Sequence, residues 1–174
     1  GALQREADGK WVYQSLPART IWQSLLTAAY QASEPGVLFI DQINRDNNLH
    51  DREVISATNP CGEQPLPAYG SCDLGPLILP RFVVHPFNRG GVAAFDFKKF
   101  IAATRLQVRM LDNVLDITYW PLTQQQTEAV SKRRIGIGFT GLGDALIMLG
   151  LRYDRPEGRH MATKIARTLR DAAY

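Results

Sequence analysis

The stretch from Ala57 to Gly75 constrains this chain more than any other part of it. Pro60, Pro65 and Pro67, with Gly62, Gly70 and Gly75, exclude a regular helix or a central strand through most of its length. On either side lie apolar runs, Val37 to Ile43 and Leu74 to Leu79, that read as buried strands. A rigid, non-repetitive loop between core strands suits chemistry, because the scaffold fixes what the loop displays. Asn59, Cys61 and Glu63 occupy alternate positions on this loop. In an extended segment such residues point to one side, so an amide, a thiol and a carboxylate are expected to converge on one ligand.

With 174 residues, the chain has the size of one domain or of part of a larger one. A hydrophobic fraction of 45% is enough for a core and argues against disorder. The net charge of +3 is mild, and the basic residues are scattered except for Lys132-Arg133-Arg134. Neither nucleic acid nor a membrane is therefore expected as a partner. No apolar run approaches the ~18 residues of a membrane span, and no signal peptide opens the chain. Two cysteines do not make a disulfide scaffold in a chain of this size, so a reducing, cytoplasmic location is expected. The chain starts at Gly1 without Met and stops at Tyr174 inside a helical pattern from His160, which reads as an excerpt of a longer protein.

Along the chain, Trp11-Val12-Tyr13 suggests a short edge strand. Ile21, Leu25, Ala28 and Ala29 recur at helical spacing over 18–32, with Ser15 or Thr20 as a nearby cap and Pro35-Gly36 as the stop. Val37-Leu38-Phe39-Ile40 reads as a buried strand, and Asp41 to Asp51 as a polar loop. A second strand covers Leu74 to Leu79, with Pro76 a poor residue for its centre, and Arg81 to Gly91 is loop-like. Phe100, Ala103, Leu106, Met110, Leu111, Val114 and Leu115 form the stripe of a long helix over 96–118 that Trp120-Pro121 ends. A short helix over 124–131, a third strand over 135–140 and a helix over 142–149 stopped by Gly150 follow. Helices alternating with strands indicate an α/β architecture.

Each candidate residue has a plain structural alternative. A free cysteine such as Cys61 is most often a small buried hydrophobe, although the flanking Pro60 and Gly62 leave no packing need for sulfur. Asn59 and Glu63 suit local turn hydrogen bonds. Gly136-Ile137-Gly138-Phe139-Thr140-Gly141 matches the G-x-G-x-x-G of a dinucleotide site, but only Arg134-Ile135 precede it where such a site needs several apolar residues. His50, His85 and His160 are far apart and unpaired with the cysteines, so no metal site is expected. Lys132-Arg133-Arg134 reads most simply as a solvated helix end.

The loop sequence N-P-C-G-E (59–63), then Q-P-L-P (64–67) and G-S-C-D-L-G (70–75), resembles the finger loop of ribonucleotide reductases, most closely the adenosylcobalamin-dependent class. E-P-G-V-L-F-I-D-Q-I-N-R-D-N-N-L (34–49) and R-R-I-G-I-G-F-T-G-L-G-D-A-L (133–146) are similar to the same family, so the resemblance spans roughly Ala18 to Asp154. It implies that residues 1–174 are part of a ten-stranded α/β barrel with a central finger loop at about 57–73. It implies that Cys61 carries a thiyl radical that abstracts the 3′ hydrogen of a ribonucleotide, with adenosylcobalamin as radical generator. By the same resemblance, Glu63 accepts the 3′-hydroxyl proton, Asn59 bonds the sugar hydroxyls, and Pro60 and Gly62 line the substrate pocket. Cys72 is then half of the redox pair that supplies two electrons, and a Cys61–Cys72 disulfide is not expected because it would consume the radical residue. Many family members carry Ser-Ile-Asn-Leu where this chain has Pro76-Leu77-Ile78-Leu79, a departure that bears on the local strand geometry. The implied partners are a ribonucleotide (a diphosphate), a dithiol reductant such as thioredoxin or glutaredoxin, allosteric nucleotides bound outside this chain, and a second copy in a homodimer. Two other functions stand beside this one: an iron- or manganese-radical enzyme of the same superfamily with a partner subunit, and a Rossmann-like dinucleotide-binding module.

Overall fold

A computed structural model describes residues 4–5, 9 and 11–174, so the reading of the first ten positions falls largely outside the described residues. The chain forms two compact units, Gly1–Asn48 and Leu49–Tyr174. In the first, β1 (Gln4–Arg5) pairs antiparallel with β2 (Trp11–Val12), and α1 (Ala18–Ala32) and α2 (Ile40–Arg45) follow. Helix α1 has its expected bounds but not its expected ends: Pro17 is the N-cap without a side-chain bond, and Ser33 closes the helix in a left-handed conformation (φ 60°) ahead of Pro35. Ser33 N–H donates to the Ala29 carbonyl there, which satisfies one of the free carbonyls of the last turn.

The strand expected over 37–40 is absent. Val37, Leu38 and Phe39 are exposed and irregular, and Ile40 opens α2 inside what reads as a polar loop. A strand needs a partner for its backbone groups, and among the described residues no strand pairs with this segment.

The second unit contains β3 (Ala57–Thr58), β4 (Pro65–Leu66), β5 (Asp73–Ile78), β6 (Val83–Val84), β7 (Ala94–Phe95), α3 (Phe97–Ile117), α4 (Thr123–Lys132), β8 (Ile135–Thr140), α5 (Leu142–Met148) and α6 (Pro156–Ala173). The segment read as a loop over 81–91 contains β6, which pairs antiparallel with β7. The architecture is mixed α/β, as expected. Its centre is the parallel pairing of β5 with β8, in register from Asp73↔Ile135 to Ile78↔Thr140. Among the described residues the strands form four two-stranded sheets, so they do not by themselves close a barrel.

The strand pair has two unlike faces. Gly75 and Leu77 are buried, and a Cβ on Gly75 would run into Gln107 and lie 3.0 Å from the Leu111 side chain on α3. The alternate residues Leu74 and Ile78 are each 55% exposed. Pro76 belongs to this alternate set. Asp73 N–H donates toward β8, to the Arg134 carbonyl at 3.4 Å, so residues one step out of phase point their N–H away from β8. The donor that Pro76 lacks is therefore not a rung to β8, and the strand survives the proline.

Helix α3 covers the inner face. Asp96 caps it, its side chain accepting from Lys99 N–H at 2.9 Å. Phe100, Thr104, Leu111 and Leu115 are its buried residues, whereas Leu106 (69% exposed) and Met110 (49%) lie off the stripe expected for them. Leu106 falls on the far side of the helix from Phe100 at 3.6 residues per turn. Thr104 is fully buried at modest cost because its hydroxyl donates to the Phe100 carbonyl at 2.9 Å. The core gathers Leu77, Leu79, Phe82, Phe95, Phe100, Ala145, Ile165 and Leu169. Phe100 meets Phe82 and Phe95 edge-on at ring separations of 5.1 and 5.4 Å, an arrangement the ring quadrupoles favour. Among the described residues no helix is long and apolar enough to cross a membrane.

Phe100→Ala should destabilise the protein by about 3–5 kcal/mol, and Leu106→Ala by less than about 0.5 kcal/mol, read from denaturant melts. Similar losses at both positions would contradict the assigned face.

Candidate active site

Residues 57–66 form a tight hairpin. β3 and β4 pair antiparallel, with Ala57 opposite Leu66 and Thr58 opposite Pro65, and Ser56 N–H donates to the Leu66 carbonyl at 3.1 Å. Six residues, Asn59 to Gln64, make the tip. This corrects the extended arrangement on which one-sided display of Asn59, Cys61 and Glu63 rested. Gly62 N–H donates to the Asn59 carbonyl at 3.0 Å, so 59–62 is a turn. Pro60 stands second in it, where its fixed φ is favourable, and Gly62 adopts φ 79°, a conformation open to glycine at little cost.

Asn59 holds the tip closed. Its backbone N–H donates to the Gln64 carbonyl at 3.3 Å, and its side-chain Oδ1 accepts from Gln64 N–H at 3.1 Å. Its carbonyl also accepts from the Thr58 hydroxyl at 2.9 Å. The turn-forming role open to an asparagine here is thus realised. Cys61 is exposed at the tip, as are Pro60, Gly62 and Glu63, while Asn59 is half-buried. The thiol of Cys61 is thus displayed rather than packed, against the bland reading of a buried hydrophobe.

Cys72 sits one residue before β5 and is half-buried. Both cysteines are free thiols. Burial pushes the Cys72 thiol up, Arg134 pulls it down by less, and the charges of Asp73 and Glu63 push it up further. By alternation Cys72 shares the open face of the strand pair with Leu74. Gly136 of β8 faces them: a Cβ there would overlap the Leu74 side chain and lie 3.0 Å from the Cys72 sulfur. Gly141 similarly leaves room for Pro80, whose Cδ would lie 2.7 Å from an added Cβ. Two of the three glycines of the G-x-G-x-x-G run are thus explained by close packing, and the helix it opens has only seven residues.

Sequence reasoning missed a buried charge cluster. Lys132 and Arg134, read as a solvated helix end, have side chains only 11% and 15% exposed. Between them lies the Glu53 carboxylate, 1% exposed, with Oε2 2.9 Å from Lys132 Nζ and Oε1 2.5 Å from Arg134 Nη2; Lys132 also pairs with Glu128. Removing one member of such a buried set costs about 3–5 kcal/mol, because the remaining charges lose their compensation. Only Arg133 follows the solvated pattern, bonding Asp112 and Asp116 on α3 and holding the Asp112 carboxyl below its ordinary range. No local sequence signal marks the cluster: only in the folded chain are Glu53 and Ile55 buried around an exposed Val54. Among the described residues no group of three or more His, Cys, Asp or Glu is placed to hold a metal ion.

A hairpin tipped by one cysteine, with a second thiol one residue before the parallel strand pair, is the candidate site of this chain, and comparison with known proteins gives its family. Residues 3–174 match the family described as ribonucleotide reductase, barrel domain, and the chain belongs to that family. It is 35% identical over 159 residues to the vitamin B12-dependent ribonucleoside-diphosphate reductase of Mycobacterium tuberculosis, covering 91% of this chain and 22% of that protein. The enzyme of the same description from Thermoplasma acidophilum is 33% identical over 165 residues, covering 95% and 21%. The ribonucleoside-diphosphate reductase large subunit of Arabidopsis thaliana is 32% identical over 185 residues, covering 95% and 22%. The chain spans about a fifth of the length of these relatives.

Alkylation of Cys72 should rise with pH only above the ordinary thiol range of about 8.5, because burial disfavours the thiolate. Following its labelling by mass spectrometry from pH 6 to 10 checks this; a midpoint below the free-cysteine value would contradict it.

Proposed function

We propose that this chain supplies the radical finger and part of the catalytic barrel, over residues 1–174, of an adenosylcobalamin-dependent ribonucleotide reductase that converts ribonucleoside diphosphates to 2′-deoxyribonucleotides. The observation that carries the reading is the exposed Cys61 thiol at a hairpin tip locked by Asn59, with Cys72 on the open face of the adjoining strand pair. The B12-dependent names of the relatives at 33–35% identity favour the cobalamin class over the metal-radical one.

An exposed tip thiol fits a radical source that approaches from outside the hairpin, and Cys61 is this chain's contribution toward that cofactor. When bound, adenosylcobalamin supplies bond homolysis and hence the initiating radical. Cys61 then exchanges a hydrogen atom with the ribose 3′ carbon. An S–H bond is weak enough for this when geometry is fixed, and in this reading the exposed tip is shielded from water by the bound substrate and the rest of the whole protein. Glu63 takes the 3′-hydroxyl proton, as general base two residues from the thiol, while the 2′-hydroxyl takes a proton from the thiol pair that includes Cys72 and leaves as water. Asn59 has its Oδ1 committed to Gln64, which leaves its amide N–H groups for the sugar hydroxyls. Pro60 and Gly62 shape the turn on which the sugar rests. Cys72 delivers reducing equivalents as one half of a thiol pair and is restored by exchange with a dithiol protein such as thioredoxin or glutaredoxin. A homodimeric enzyme with allosteric nucleotide sites elsewhere completes the reading.

The whole protein, assayed anaerobically with a ribonucleoside diphosphate and a dithiol, should form deoxynucleotide only when adenosylcobalamin is added. Cys61→Ala should abolish product, and Glu63→Gln should lower turnover by about 10²- to 10⁴-fold. Product that needs a metal-loaded partner subunit instead would move the protein to the other class. Product from Cys61→Ala would remove the radical role from that residue.

A further inference from the structure

Glu53 stands four residues upstream of β3 and so at the foot of the Cys61 hairpin. Its two carboxylate oxygens are held by Lys132, the last residue of α4, and by Arg134, the residue before β8. The Arg134 carbonyl in turn accepts from Asp73 N–H, next to Cys72. One short path therefore joins the foot of the hairpin, through a single buried carboxylate, to the place where the Cys72 strand begins. A charge-assisted hydrogen bond from Arg134 at one oxygen and an ion pair with Lys132 at the other restrain the carboxylate from two sides. A buried ion cluster is rarely more stable than an apolar replacement, so stability alone is a weak reason for one here.

We propose that Glu53, Lys132 and Arg134 are a positioning clamp that holds the Cys61 hairpin in fixed relation to the strand pair bearing Cys72. The inference rests on the reductase reading, in which both thiols must serve one ribose. Their role in this proposal is positioning and not contact with the reacting atoms. They act through the placement of the hairpin, where displacement by about 1 Å costs on the order of 100-fold in rate.

The test uses the whole protein with Arg134→Gln and Glu53→Gln, alongside Arg134→Lys, which keeps the charge but loses the guanidinium fork. Hydrogen exchange is followed at the hairpin amides of Ser56, Asn59 and Gln64, and turnover is resolved into kcat and KM. Both neutral variants should exchange at least tenfold faster at these amides and lose about 10- to 100-fold in kcat, with KM within about twofold. Arg134→Lys should recover part of each effect and carries the test if the neutral variants fail to fold. Unchanged hairpin exchange overturns the clamp, and so does a loosened hairpin with undiminished kcat. Should the unmodified protein reduce no ribonucleotide, the reductase reading fails, while hairpin exchange in the variants still decides the clamp by itself.

Discussion

The parallel pairing of β5 with β8 is the constraint on which the rest of the second unit depends. A parallel pair cannot be joined by a tight turn, so the chain between the strands must leave and return, and here it does so through α3 and α4. The returning helix buries one face of the pair against Phe100 and Leu111. The other face is left to Cys72, Leu74, Pro76 and Ile78 and to the glycines of β8 opposite them. The first face is filled by core, so of the two only the second is open. Gly75 and Gly136 show the division most sharply: one admits a helix, the other a thiol.

The finger solves a different problem, that of holding a reactive side chain away from packing without letting it wander. Two-residue strands contribute little rigidity, so the tip relies on bonds to Asn59 and on the restricted backbone of Pro60. At the hairpin foot, Glu53 brings together cations that flank the start of β8. A radical thiol needs this kind of support. Its chemistry gains nothing from a lowered pKa and much from distance and angle.

Much of the fold was legible in the sequence because the signals were local. The helix at 18–32, the strand at 135–140 and the helix entering near Asp96 follow from local residue pattern, although neither Ser15 nor Thr20 caps the first helix. The strand expected at 37–40 failed because four apolar residues in a row fit a strand, a loop and a helix start alike, and pairing decides between them. Leu106 failed because its hydrophobicity is not matched by its angle on the helix, and Thr104 was overlooked because its hydroxyl is satisfied within the helix. At the site, the N-P-C-G-E tip and its family were legible from residue identity, while its turn geometry was not. The Glu53 cluster was invisible because Arg134 meets a carboxylate 81 positions away, and only the tertiary fold brings them together.

In the proposed reaction the Cys61 thiol exchanges a hydrogen atom with the ribose 3′ carbon. The most direct test is the release of tritium to water from a 3′-tritiated ribonucleoside diphosphate, using the whole protein with adenosylcobalamin and a dithiol. The account predicts measurable release by the unmodified protein and none above background with Cys61→Ser. Undiminished release by Cys61→Ser would contradict it.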